Sequence, residues 1–195
     1  MMSIERLYSR ECPKSLTGEP TKPGINPMTG VDILNILAQV QHHEPLGNLI
    51  LQAKIQLDAN SRSKLVQTFT AWLHHNKSIN ILMSPIIAEN AIHEVCDTQI
   101  CDKCKGVGEL IVKKERKIVI CSKCQGVGRI ILTTKQLYLR ANKQRPIDNK
   151  MTYEQFNELY YPVYMDAVDR LHVAESAAKR FAHEIMDRLE AELAA

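Results

Sequence analysis

The chain has 195 residues and a mass of 22.1 kDa; 45% of it is hydrophobic, 24% charged, and the formal net charge is +3. A chain of this length buries a core without disulfide staples. It has no apolar run of about 18 residues and no signal-type apolar segment at its start, so a membrane span and Sec export are excluded and a cytoplasmic location is expected.

Residues 1–28 carry Pro13, Gly18, Pro20, Pro23 and Pro27 in quick succession and read as a flexible or loosely packed arm. Thr29 with Asp32 three residues on predicts a helix start, with Ile33, Leu34, Ile36, Leu37 and Val40 as its apolar face. A second helical stretch takes Leu46, Leu49, Ile50, Ala53 and Leu57. Asp58 is placed to cap a third, with Leu65, Val66, Phe69, Trp72 and Leu73 on its buried side. Ser84-Pro85 reads as an N-cap and first helical residue, opening a helix with the rows Ile87, Ala91, Val95 and Ala88, Ile92, Cys96.

Residues 99–132 change character. Two β-branched runs, Leu110-Ile111-Val112 and Ile118-Val119-Ile120, flank the charged segment Lys113 to Lys117 and predict a β-hairpin. A helix is expected from Thr134 to Lys143, ending before Arg145-Pro146 because the residue before proline avoids the helical region. Thr152 with Gln155 forms a capping box. From Pro162 to about Glu192 the row Tyr164, Val168, Leu171, Ala178, Phe181, Ile185, Leu189 marks one long helix packed along a stripe. The fold class expected is mainly α: a bundle-like helical domain with an inserted zinc-ribbon β-hairpin and a long C-terminal helix. Its parts are the arm 1–28, a helical region 29–98, the zinc hairpin 99–132, and helices 133–195 packing against 29–98.

The sharpest feature is an internal repeat, Cys101-Asp-Lys-Cys104-Lys-Gly106-Val-Gly108 and Cys121-Ser-Lys-Cys124-Gln-Gly126-Val-Gly128. The spacing Cys-x2-Cys-x16-Cys-x2-Cys suits four thiolates around one ion: two residues let a knuckle present two sulfurs, and a hairpin fills the gap. Gly106 and Gly126 suit the positive φ with which each knuckle turns away. One structural zinc on Cys101, Cys104, Cys121 and Cys124 is therefore expected. Four protein ligands leave no open position for catalysis. The rival is thiol–disulfide chemistry at each Cys-x-x-Cys, which lacks a surrounding thioredoxin-like βαβ pattern.

Cys12 and Cys96 have no partner at ligand spacing, and the pairs His42-His43 and His74-His75 point to different helix faces. His172 and His183 fall on the long helix without a nucleophile nearby. There is no Gly-rich phosphate loop, nucleophile elbow or distinctive carboxylate pair, so the chain is not expected to be an enzyme.

Charge is unevenly placed. Residues 1–98 have a net charge of −1, residues 99–150 of +9 and residues 151–195 of −5. Such focusing suits a polyanion. Lys113, Lys114, Arg116 and Lys117 crowd the hairpin tip, Lys123 and Arg129 lie by the knuckles, and Lys135, Arg140, Lys143 and Arg145 lie on or after the following helix. Tyr138 is the sole aromatic among them, which favours double-stranded DNA gripped by its phosphates over stacking on a single strand. Residues 134–143 and the helix from Thr152 suggest a loose helix-turn-helix, with a turn longer than usual. A solvated face balanced by the acidic tail is the alternative reading of the same charge.

The two Cys-x-x-Cys-x-Gly-x-Gly units, with helical regions in the same order around them, resemble the late-gene antitermination protein Q family of lambdoid phages, lambda type. Further likeness lies in Leu57 to His74, and in Pro162-Val-Tyr164 running to Leu171-His172 and Glu175-Ser176, so that the resemblance spans about residues 29–190. It implies a zinc site at the four cysteines and binding to DNA within a phage late promoter. It also implies association with bacterial RNA polymerase, at its flap and sigma factor, and read-through of terminators. The DNA-contacting residues named above come from charge, not from the resemblance. The knuckle also resembles the cysteine-rich repeats of Hsp40 chaperones; those use four repeats for two zincs, whereas this chain has two and lacks the His-Pro-Asp tripeptide. A zinc-ribbon adaptor that grips protein instead of DNA is the alternative function.

Overall fold

The computed structural model describes residues 3–9, 29–97, 101–112, 117–126, 128–146 and 149–194. Helices dominate: α1 (Ile4–Ser9), α2 (Gly30–His43), α3 (Pro45–Leu51), α4 (Ala59–Lys77) and α5 (Met83–Asp97) precede a two-stranded antiparallel hairpin, β1 (Glu109–Val112) and β2 (Lys117–Ile120). Then come α6 (Thr134–Lys143), the short α7 (Tyr153–Gln155) and α8 (Tyr161–Ala194), with a π-turn at Phe156–Tyr160 joining α7 to α8.

Two apolar clusters share α8 as their spine. The larger is built from α4, α5, α6 and the first half of α8, around Phe69, Met83, Ile92, Leu137, Phe156 and Leu171. In the second, Ile36, Val40, Leu51, Ala182, Ile185 and Met186 join α2 and α3 to the second half of α8. The apolar rows expected on α2, α4, α5 and α8 supply most of both, since a 3.6-residue period puts them on one face; Leu34, expected on the α2 row, is instead exposed.

Local chemistry fixes the helix starts. Thr29 and Asp32 form a reciprocal capping box, as do Thr152 and Gln155, and Asp58 accepts from the amides of Asn60 and Ser61. A third box, Thr133 with Gln136, fixes the start of α6. The α5 helix begins at Met83, two residues before Pro85, its expected first helical residue. Asn80 Oδ1 accepts from the Leu82 amide, and Ser84 Oγ donates back to the carbonyls of Ile79 and Asn80, so the serine sits inside the first turn.

Two expectations are corrected. The reading of 1–28 as an unfolded arm fails at residues 4–9: α1 buries Ile4, Leu7 and Tyr8 in the second cluster, and Tyr8 Oη donates to Asn48 Oδ1 at 2.8 Å. Apolar spacing of Ile4, Leu7 and Tyr8 outweighs the prolines that follow. Residues 10–28 lie outside the described residues. Leu57, expected on an apolar helix face, is 80% exposed with φ 55°, because α3 runs into a π-turn at Gln52–Gln56 and ends there in a left-handed residue.

The α3 helix sits hard against α8 at Gly47. A Cβ there would lie 2.3 Å from the Ala174 carbonyl oxygen and 2.5 Å from Ala178 Cβ, so the close approach needs glycine. Just along the same interface the buried Glu175 accepts from Lys54 and Lys179, each at 2.9 Å. Burial pushes its carboxyl up, but hydrogen bonds and charge from Lys179 and Lys54 outweigh it and hold the carboxyl below the ordinary range.

Gly47→Ala should destabilise the protein by about 2–3 kcal/mol through overpacking against backbone, read as a lowered urea midpoint with unchanged slope. Because the folded-state pKa of Glu175 is depressed, its contribution is complete above the unfolded carboxyl value and is lost as pH falls through the folded one. The gap in stability between wild type and Glu175→Gln, followed by denaturation from pH 7 to pH 3, should therefore narrow on the acid side.

Candidate metal centre and basic surface

The repeat folds into two matching knuckles. In each, the residue after the second cysteine is left-handed (Lys105 φ 54°, Gln125 φ 51°), followed by glycines at φ 93° and 82° in the first copy and 91° and 78° in the second. Gly108 and Gly128 donate their amides to Cys104 Sγ and Cys124 Sγ at 3.3 and 3.2 Å. The copies interlock with near two-fold symmetry. The Cys101 amide bonds the Gly128 carbonyl and the Cys121 amide bonds the Gly108 carbonyl. Lys103 donates to Ser122, and Lys123 to Asp102. A Cβ on Gly108 would meet the Gly126 carbonyl oxygen at 2.1 Å, and one on Gly128 the Gly106 oxygen at 2.2 Å. Sequence reading picked out Gly106 and Gly126 and missed Gly108 and Gly128, although the glycine in the last position of both repeats was the available signal.

All four Sγ atoms, on buried cysteines, lie within 4.8 Å of one another, with Cys101–Cys121 at 3.9 Å and Cys104–Cys124 at 3.6 Å. Four sulfurs at about 2.3 Å from one ion in a tetrahedron are about 3.8 Å apart. The spacing fits that geometry and is far beyond a disulfide bond. The donor set fits a thiophilic ion held with no open position. Among the described residues this is the only group of metal-ligating side chains brought together. His74 Nδ1 instead lies 2.8 Å from the Ile79 carbonyl, and burial pushes the Cys96 thiol up to about 11.

The amide of Cys124 holds the Cys121 thiol down to about 7, against burial. Burial pushes Cys124 up to about 11, against the amides of Gly128 and Gly126.

β1 pairs with β2 in the register Glu109↔Ile120, Leu110↔Val119, Ile111↔Ile118 and Val112↔Lys117. Leu110 packs on the cysteines. The opposite face carries Glu109 with Ile111, Ile118 and Ile120, the isoleucines 74%, 67% and 70% exposed.

Lys113, Lys114 and Arg116 lie outside the described residues. Lys117, Arg129, Lys135 and Lys143 are exposed. Arg140 and Arg145 are half-buried and turn toward the helical body. Burial, and after it the charge of Arg140, lowers the pKa of His93 on α5, and Arg145 Nη1 lies 3.2 Å from Met83 Sδ. Among the described residues, α6 packs against the chain that leads into α7, and its apolar side is used for the core. Tyr138 Oη and Asn142 Nδ2 donate to the Met151 carbonyl, Asn142 Oδ1 accepts from the Met151 amide, and Leu137 and Ala141 are buried in the core. The exposed side of α6 is left with Lys135, Leu139 and Lys143.

These features define a mainly helical protein carrying a duplicated-knuckle, four-thiol centre able to hold a metal ion, and no helix among the described residues is long and apolar enough to cross a membrane. The chain belongs to the family described as conserved hypothetical protein CHP02642, which matches it over residues 1–98 and 87–192. A comparison with curated proteins gives no match.

Metal loading should release protons and weaken as pH falls, since the thiolate and not the thiol is the ligand. Calorimetric titrations in buffers of different ionisation enthalpy measure both effects. Gly108→Ala should abolish metal uptake while leaving the helical circular-dichroism signal nearly intact.

Proposed function

We propose that the ion is zinc, that its role is structural, and that the hairpin it anchors serves to bind duplex DNA. The observation carrying this reading is the match between the sulfur spacing and a closed tetrahedral site at the root of a hairpin in the +9 stretch. Tetrahedral thiolate sets take zinc or iron, and zinc needs no redox partner. Among the described residues the cysteines are the only cluster the hairpin buries, so the ion supplies folding energy there directly.

On this reading the rigid root fixes where Lys113, Lys114, Arg116, Lys117 and Arg129 sit, while Lys135 and Lys143 extend the basic surface along α6. Phosphate contacts supply affinity and position, and release counterions. Arg140 and Arg145 contribute less, because both turn toward the body. The resemblance to the antitermination protein Q family supports a finer role, in which the DNA-bound protein joins RNA polymerase and lets it pass terminators.

The isoleucine face favours a second reading. Three large aliphatic side chains on one face of a two-stranded sheet suit a protein partner better than phosphates, and a zinc-ribbon adaptor would use them with no DNA involved.

Elemental analysis of protein purified without added metal should give one zinc per chain; iron, or no metal with full folding, overturns the structural-zinc reading. Replacing Lys117, Arg129, Lys135 and Lys143 by Gln should weaken binding to every duplex and flatten the log–log salt dependence by about one unit per lost phosphate contact. An unchanged slope, with loss of function on Ile111→Ser and Ile118→Ser instead, favours the adaptor. Run-off transcription through a terminator, with and without the protein, tests the finer role.

A further inference from the structure

Arg145 leaves the end of α6 and folds back over the body. Its Nη1 lies 3.2 Å from Met83 Sδ and 3.8 Å from Met151 Sδ, and its Nε is buried without a hydrogen-bond partner. Thioether sulfur is a weak acceptor, and among the described residues no carboxylate pairs with this guanidinium. Among the described residues the charge is held in place with no counter-charge, an arrangement that costs stability unless an anion completes it.

Arg145 lines a cleft of about 240 Å3 between the end of α6 and the start of α7. Lys150 brings a second positive charge to it, Asn149 and Gln155 bring amides, and Tyr160 brings a ring. The Oε1 of Gln155 is engaged by the Thr152 amide at 3.0 Å, so its NH2 group is the part left to donate. No carboxylate is among the described lining residues.

We propose that this cleft is a phosphate seat, taking a phosphoryl oxyanion on the Arg145 guanidinium and the Lys150 ammonium. Two cations and amide donors facing one space call for a group that only accepts hydrogen bonds and carries up to two negative charges. A braced guanidinium loses little freedom on binding it. The seat is independent of the hairpin's DNA surface and stands whether or not that surface binds DNA. The phosphate comes either from a nucleic-acid backbone or from a free phosphorylated molecule.

The test is an NMR titration of the full chain with inorganic phosphate, against chloride at matched ionic strength, following the amides of Asn149, Lys150 and Gln155. Saturable shifts specific to phosphate are expected, with affinity about fivefold weaker in Lys150→Gln, as befits one partly exposed charge-assisted bond. Lys150 is exposed, so this variant leaves the core intact; Arg145→Gln should abolish binding, with thermal unfolding as its folding control. Shifts equal to those in chloride, or an unaffected Lys150→Gln, overturn the proposal. Asp148, outside the described residues, is the rival counter-charge. Phosphate binding that appears only in Asp148→Asn assigns Arg145 to it and also overturns the proposal. Two further probes separate the sources. Weaker binding of a short duplex by Lys150→Gln assigns the seat to a nucleic-acid backbone; weaker binding of a nucleoside monophosphate alone assigns it to a free ligand. If the hairpin charge variants leave duplex binding unchanged while phosphate still saturates the cleft, the DNA reading fails and the seat does not.

Discussion

Residues 101–131 bury little besides sulfur. Among the described residues their only core is four cysteine side chains with Leu110 laid against them, so whatever holds the thiols together holds the hairpin together. The helical body has no such dependence. Its two clusters lie along α8, with the near contact of Gly47 and Ala174 fixing where α3 crosses that spine. The protein thus combines a body stabilised by buried area with a module whose described interior is a ring of thiols, and disrupting that ring is a local event in such an arrangement.

The last glycine of each knuckle has no room for a side chain. Each repeat places its final glycine on the carbonyl of the other repeat's first glycine, and each amide of that final glycine feeds its own cysteine sulfur. Backbone conformation, interlock and sulfur electrostatics are set by the same residues. The left-handed Lys105 and Gln125 show that the turn is demanding enough to impose positive φ on residues with side chains.

Much of this was legible from residue order because it is local. The Thr29–Asp32 and Thr152–Gln155 boxes, the Asp58 cap, the hairpin between two β-branched runs and the limits of α6 all depend on neighbours within four residues. The cysteine spacing carried the site for the same reason. What escaped depends on contacts distant in sequence. The π-turn that exposes Leu57 sits where Lys54 meets Glu175, 121 residues on. The short α1 is held by a core it does not itself contain, and a run of prolines obscured it. Charge counting put Arg145 on the outside surface; only the packing of α5 and α6 shows it braced by two methionines. The bare isoleucine face follows from strand register, which alternation alone does not fix when both runs are uniformly apolar.

The likeness of the two knuckles has one more result. Because each half presents the same sulfurs and the same interlocking glycines, a half from one molecule is chemically acceptable to a half from another. Only the short tether through the hairpin makes the neighbour in the same chain the favoured mate, by keeping its local concentration far above that of any free copy. Strand length here therefore governs self-recognition: lengthening the connection would erode the advantage of closing within one polypeptide and let the centre stitch separate molecules together.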